Sequence, residues 1–279
     1  MDFEAILDAE ERRGRRLPRW VAIARAVRRG RALWDVEAER HRALMVMEPM
    51  ARDPGELEAL ARRHLVEHSV REALLGRLWE LERSPRTAPP RGRGVLVSYC
   101  HFGPYAGMPI TFLDTRPRVL SVVGAWLLAP PTPDERGLRI ARWRSGIERA
   151  GVEPILAPGC FDRVVELLLD RELVTMPFDL GGSAPPVRLL GLDVALASGT
   201  ARMAYEAGAV VQPAARIRRR HRVWTELGPP LDARRFGCWE DLHAAIAAAH
   251  DAWMRSSSWA HEIPIRLLPD YRERLSAAA

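Results

Sequence analysis

Apolar positions along the chain follow two different rhythms, and the change falls near residue 90. Up to residue 82 they recur every three or four positions, the period of helices packed by one face. Trp20, Ile23, Val27 and Trp34 keep this spacing between residues 12 and 34. Leu57, Leu60, Leu65 and Val66 begin the same stripe in a second stretch, 53–82. There Asp53 can cap, Pro54 suits a first helical position, and Glu56 completes a capping-box pattern. Residues 83–94 are rich in Arg, Pro and Gly and read as a loop. Beyond them, short apolar runs at 94–99, 118–124, 151–156, 173–178, 187–191, 209–217 and 222–227 alternate with helical patterns near 135–150, 161–171, 198–207 and 239–256. Strands alternating with helices predict an α/β protein with a central, mostly parallel sheet flanked by helices. The expected organisation is a helical segment over 1–82, a loop over 83–94 and an α/β unit over 95–279, packed together as one compact body.

Composition narrows the class. The chain has 279 residues with 47% hydrophobic content, enough for a sizeable core. It has no run of about 18 apolar residues, the length a membrane-crossing helix needs, and the acid-bearing start does not read as a secretory signal. Three cysteines (Cys100, Cys160, Cys238) are too few and scattered for a disulfide framework or a zinc site. The expected location is therefore the cytoplasm. All 42 basic residues are arginine and the net charge is +6, which favours anionic partners. The 12–34 stretch has no acid, so it has two readings: a basic amphipathic helix resting on the inner face of an anionic membrane, or a helix packed on the main body with a solvated arginine face. Charge alone would also suit nucleic acid, but no motif supports that partner.

Candidate chemistry centres on residues 98–109. An apolar strand delivers His101 to a turn at Gly103, with a helix expected from about Pro104. Ligands in open α/β sheets collect beyond the carboxyl ends of strands, and a neutral imidazole there can act as a general base. The nascent helix would add positive potential that disfavours imidazolium. The bland alternative, a histidine satisfying a strand-end carbonyl, stays open on local pattern alone. Cys100 precedes His101 on a strand and should point to the opposite face, so it reads as a small buried residue. His64 and His68 stand four apart on a helix without a third ligand, and no metal site is expected. Asp179 ends another strand before Gly181 and Gly182, as a site residue or a turn residue. Arg216, Arg218 and Arg220 should share one strand face.

The order of these pieces resembles the lipid A biosynthesis (lauroyl/myristoyl) acyltransferase family, which includes phosphatidylinositol mannoside acyltransferases. The resemblance runs from roughly Leu17 to Glu262. It implies a glycerolipid-acyltransferase fold and transfer of a fatty or polyketide acyl group from an acyl carrier protein or coenzyme A thioester, with no resident cofactor. The acceptor would be a small-molecule or lipid hydroxyl or amine. By the same resemblance His101 matches the catalytic base, Asp179 the second-half acid and Arg216 the arginine closing that half; Arg216, Gly103 and Tyr105 are the expected substrate-binding residues, with Arg216 able to fork onto a phosphate or the thioester-bearing arm. Two departures matter. The family's acid five positions after the histidine is Ala106 here, and the membrane-spanning N-terminal helix of many members is missing.

Three readings follow: an enzyme whose imidazole is served by another carboxylate, Asp179 or Asp114, with a soluble acceptor from specialised metabolism; a membrane-surface enzyme acylating a lysophospholipid or glycolipid; or a non-catalytic relative that binds acyl chains or a partner. The enzyme reading predicts a polar side chain on the far nitrogen of His101, standing in for the acid that Ala106 lacks.

Overall fold

A computed structural model describes residues 17–78, 88–130, 132 and 134–262. Three helices lead: α1 (Arg19–Ala32), α2 (Glu37–Met47) and α3 (Pro54–Leu75). Asp53 caps α3 by accepting from the Glu56 amide at 2.8 Å, with Pro54 in the first turn. Glu56 reaches back to the Arg52 amide, also 2.8 Å, one residue earlier than a capping box requires. α1 buries Ile23 and Ala26. It comes so close to α3 that a Cβ on Gly30 would stand 2.5 Å from Val66 Cα. The arginine-rich stretch is thus, over its described part, a helix packed on a neighbour.

A seven-stranded sheet follows in the order β3-β2-β4-β1-β7-β8, with β9 also on β7. Its strands are β1 (Val95–Tyr99), β2 (Leu120–Gly124), β3 (Glu153–Ala157), β4 (Leu173–Pro177), β7 (Val210–Arg219), β8 (Arg222–Leu227) and β9 (Leu231–Asp232). The first five are mutually parallel, while β8 and β9 run antiparallel to β7. The short strands β5 (Val187–Leu189) and β6 (Leu192–Val194) form a separate hairpin. The helices between and after the strands are α4 (Glu135–Ala150), α5 (Phe161–Leu169), α6 (Gly199–Glu206) and α7 (Trp239–Ser256).

β1 lies between β4 and β7 and all five of its residues are buried. A near-continuous apolar run is what a parallel strand covered on both faces demands. Alternation divides its residues between two cores. Leu96 packs with Val164, Leu168, Ala201 and Ile246 of α5, α6 and α7. Val95, Val97 and Tyr99 pack with Met108 and Phe112 on the other face. Each such side chain contributes roughly 1.5–3 kcal/mol on full burial.

The segment after β1 departs from expectation. No α-helix starts at Pro104; two 3₁₀ turns, Tyr105–Gly107 and Pro109–Phe112, run on instead. Gly107 and Pro109, poor helix formers, fall where the first α-turns would close. The helix-end potential expected to act on His101 is therefore absent. The N-terminal helices join the sheet through contacts of α3: Arg218 on β7 pairs with Glu67, and His64 Nδ1 lies 3.2 Å from the Trp259 carbonyl.

Candidate active site

The register of two neighbouring strands assembles the site. β1 and β4 are parallel, with Tyr99 opposite Pro177. Two residues further, past both carboxyl ends, His101 comes opposite Asp179. The Asp179 carboxylate takes three donors, each at 2.8 Å: the His101 backbone amide on Oδ2, His101 Nδ1 on Oδ1, and His261 Nε2 on Oδ2. Its side chain is fully shielded, whereas that of His101 is 29% exposed.

Burial alone would raise the Asp179 pKa, but the charge and hydrogen bonds of His101, with those of His261, outweigh it and hold the carboxyl well below its usual range. An ionised carboxylate only accepts. When neutral, His101 therefore carries its proton on Nδ1, which places the ring's basic lone pair on Nε2. This is the orientation and tautomer a general base requires.

The residues after α7 close over the turn. The Gly103 amide donates to the Ala260 carbonyl (2.9 Å), the Glu262 amide donates to the His101 carbonyl (2.7 Å), and Phe102 bridges His261. His261 is 3% exposed. Glu262 accepts from the Tyr105 hydroxyl and from Arg139, whose Nε also reaches Glu72 at 2.8 Å. Burial would raise the Glu262 pKa, but Arg139 and Arg71 pull it well below the normal range. Burial and the Glu262 charge push the Tyr105 phenol up. The Tyr105 ring meets His101 edge to face, with centroids 4.7 Å apart.

The sequence-derived residues thus divide. His101, Asp179 and Tyr105 meet. Tyr105, assigned to substrate, spends its hydroxyl on Glu262. Gly103 has a backbone role: its φ is +60° and a Cβ there would lie 2.2 Å from the Arg216 carbonyl, so only glycine fits between the turn and β7. Arg216 is 0% exposed and donates to the Gly107 carbonyl (2.7 Å) and Thr111 Oγ1 (2.6 Å). It pins the 3₁₀ segment to β7 rather than presenting a guanidinium to a ligand. Arg218, two residues further along β7 and so on the same face as expected, pairs with Glu67.

Asp114 is exposed, and the carboxylate on His101 Nδ1 is that of Asp179. Cys100 is buried, and burial next to Asp179 pushes its thiol up. Ala106 packs near Ile110, Leu74 and Leu78. Burial lowers His64 to about 3 and His68 to about 4, so both are neutral. No cluster of metal-ligating side chains occurs among the described residues, and no described helix is long and apolar enough to cross a membrane.

His261, Glu262 and Arg139 went unseen in the sequence. Their only signal is residue type: a His-Glu pair after the last helix and one arginine among many. What makes them relevant is a contact between chain positions some 160 apart (101 and 262), which no local pattern encodes.

Fold and site together define a mostly parallel α/β protein with a histidine–aspartate pair beyond the ends of adjacent central strands. No family model matches the chain, and no curated protein matches it. Among solved structures it is similar to the 1-acyl-sn-glycerophosphate (LPA) acyltransferase, PlsC, from Thermotoga maritima, with a TM-score of 0.42 and 13% identity over 86% of this chain and 97% of that one. A likeness this slight carries no argument about activity.

Proposed function

We propose that the protein is an acyltransferase using His101 as general base and Asp179 as the group that orients it. The observation carrying this reading is the His101–Asp179 pair, buried at the carboxylate and open at the imidazole. In the reaction, the acceptor's hydroxyl or amine attacks the thioester carbonyl carbon and His101 Nε2 takes its proton. The tetrahedral intermediate then expels the sulfur, and the imidazolium returns the proton to it. The products are an ester or amide and a free thiol. The buried Asp179 charge stabilises the imidazolium between these steps. The acyl group would be a fatty or polyketide chain and the donor a carrier-protein or coenzyme A thioester.

The test offers the full chain a panel of acyl thioesters and acceptors, with products read by mass spectrometry. Acyl products from the parent chain, lost in His101→Ala, support the proposal; equal product from both removes His101 from the chemistry.

One observation favours a membrane-surface variant of the same reaction. Trp20 on the arginine-rich α1 is 59% exposed, as a residue dipping into an interface would be. Flotation with phosphatidylglycerol vesicles separates the variants, because a soluble-acceptor enzyme stays at the bottom of the gradient.

A further inference from the structure

A cavity of about 500 Å³ opens between α1, the turn that follows it, α3, the outer end of β7 and the turn Ser258–Ala260. Its size suits a small-molecule ligand. Two indoles, Trp34 and Trp259, stand in its wall. Each has a guanidinium over one face: Arg62 lies 4.1 Å from the Trp34 centroid and Arg63 4.5 Å from that of Trp259. Arg31 and Arg218 complete the basic lining against a single carboxylate, Glu67. Arg218 already holds Glu67 by a forked pair, and Arg62 holds Glu58 at 2.7 Å. Arg31 and Arg63 have no carboxylate partner among the described residues. The cavity therefore combines two guanidinium groups able to fork onto phosphate with aromatic walls on which a planar base stacks.

Its position adds a second argument. Trp259 lies two residues before His261, whose ring holds Asp179, and two residues span at most about 7 Å. One short strap thus forms both a wall of the cavity and a support of the His101–Asp179 pair.

We propose that this cavity binds the 3′-phosphorylated adenosine diphosphate end of coenzyme A, which would make the donor a coenzyme A thioester; the donor assignment rests on the acyl-transfer reading above. Base and phosphates account together for the indoles and for the two arginines that have no carboxylate partner among the described residues. A carrier protein, which brings a phosphopantetheine arm without a base, accounts for neither indole.

The test titrates adenosine 3′,5′-bisphosphate, coenzyme A and pantetheine into the full chain by calorimetry. The expected result is binding of the first two and none of pantetheine. The Arg31→Glu/Arg63→Glu double variant, altered at two exposed positions, should weaken binding at least about tenfold. Arg188→Glu, a like-signed charge change on the β5–β6 hairpin, should leave it unchanged. The inference is overturned if the bisphosphate does not bind, if the double variant binds it equally well, or if phosphatidylglycerol vesicles alone show the arginine dependence. Acyl transfer from carrier-protein thioesters without bisphosphate binding would sink this inference and leave the proposed reaction standing. Arginine-dependent bisphosphate binding with no thioester consumed would do the reverse.

Discussion

Replacing Asp179 by asparagine preserves the side chain's shape and removes one acceptor with its charge. The carboxylate serves three donors at 2.8 Å, and an amide can satisfy two of them at most. With its oxygen at the Oδ2 position it keeps the His101 amide and His261 Nε2. Its NH₂ then faces His101 Nδ1, and two donors cannot share a hydrogen bond. The ring relieves the clash by moving its proton to Nε2, which turns the base into a donor. Turning the amide over sets the NH₂ against two donors and is worse. The expected effect on turnover is a loss of about 10⁴-fold, or about 5.5 kcal/mol of barrier, as for a triad whose carboxylate is amidated. The stability cost should be far smaller, about 1–3 kcal/mol. Two assays separate these effects: thiol release from an acyl thioester, and imidazole ¹⁵N spectra with His101 assigned by its loss in His101→Ala. The parent should show Nδ1–H and the variant Nε2–H. An unchanged tautomer, or turnover within tenfold of the parent, would refute the assignment of Asp179 as the orienting group.

His261→Ala removes one of Asp179's donors without touching the imidazole of His101; kcat should fall with KM unchanged, and a matched fall in Asp179→Asn/His261→Ala beyond the single Asn variant would contradict a shared role. Ala106→Asp should bring no gain in rate and should lower the melting temperature, because position 106 lies against Leu74, Leu75 and Leu78 as well as Arg71 and Arg139; a faster enzyme would mean that Nδ1 of His101 can be served from there. Burial lowers His64 to about 3, His68 to about 4 and His250 to about 4. The unfolded chain takes up these protons near pH 6.5 and the folded chain does not, so stability is complete above about pH 7 and falls as pH drops toward 4, by up to about 1.4 kcal/mol per pH unit for each histidine. Urea unfolding midpoints at pH 7.5 and pH 5 test this, and equal midpoints would show that the three rings are not buried neutral.

The sheet was legible because its signal is local. Runs such as 94–99 and 173–178 are apolar throughout, and only strands covered on both faces, or buried helices, tolerate that; their length and the turn residues at their ends decide for strands. Helix starts near 135 and 239 are marked by Asp134, which caps the one (its Oδ1 accepts from the Gly137 amide at 2.7 Å), and by Gly237 before the other with Glu240 and Asp241 in its first turn. The segment after His101 was misread because a strand end, a glycine and a proline suit a helix start equally well. Gly107 and Pro109 oppose the helix locally, and Arg216, more than a hundred residues away, holds Gly107 and Thr111 in the path taken instead. The same distance concealed the burial of Arg216, because its partners Gly107 and Thr111 lie outside any local pattern around it.

The carboxylate facing His101 shows how a sheet can supply what a local motif lacks. An acid five residues beyond a histidine reaches it only if the intervening chain folds back through a turn, and here that chain carries Gly103 at a φ of +60° and then Ala106 and Gly107 in tight 3₁₀ geometry. An acid two residues past the end of the adjacent parallel strand needs no such help. Once Tyr99 pairs with Pro177, every ladder bond between β1 and β4 also holds His101 beside Asp179, and the Phe178 amide closes on the Tyr99 carbonyl at 2.7 Å just before the site. The register of the sheet thus sets the geometry of the site. A substitution that slips β4 by a single residue would turn Asp179 to the other face and leave the imidazole without its anion, even with every side chain of the pair unchanged.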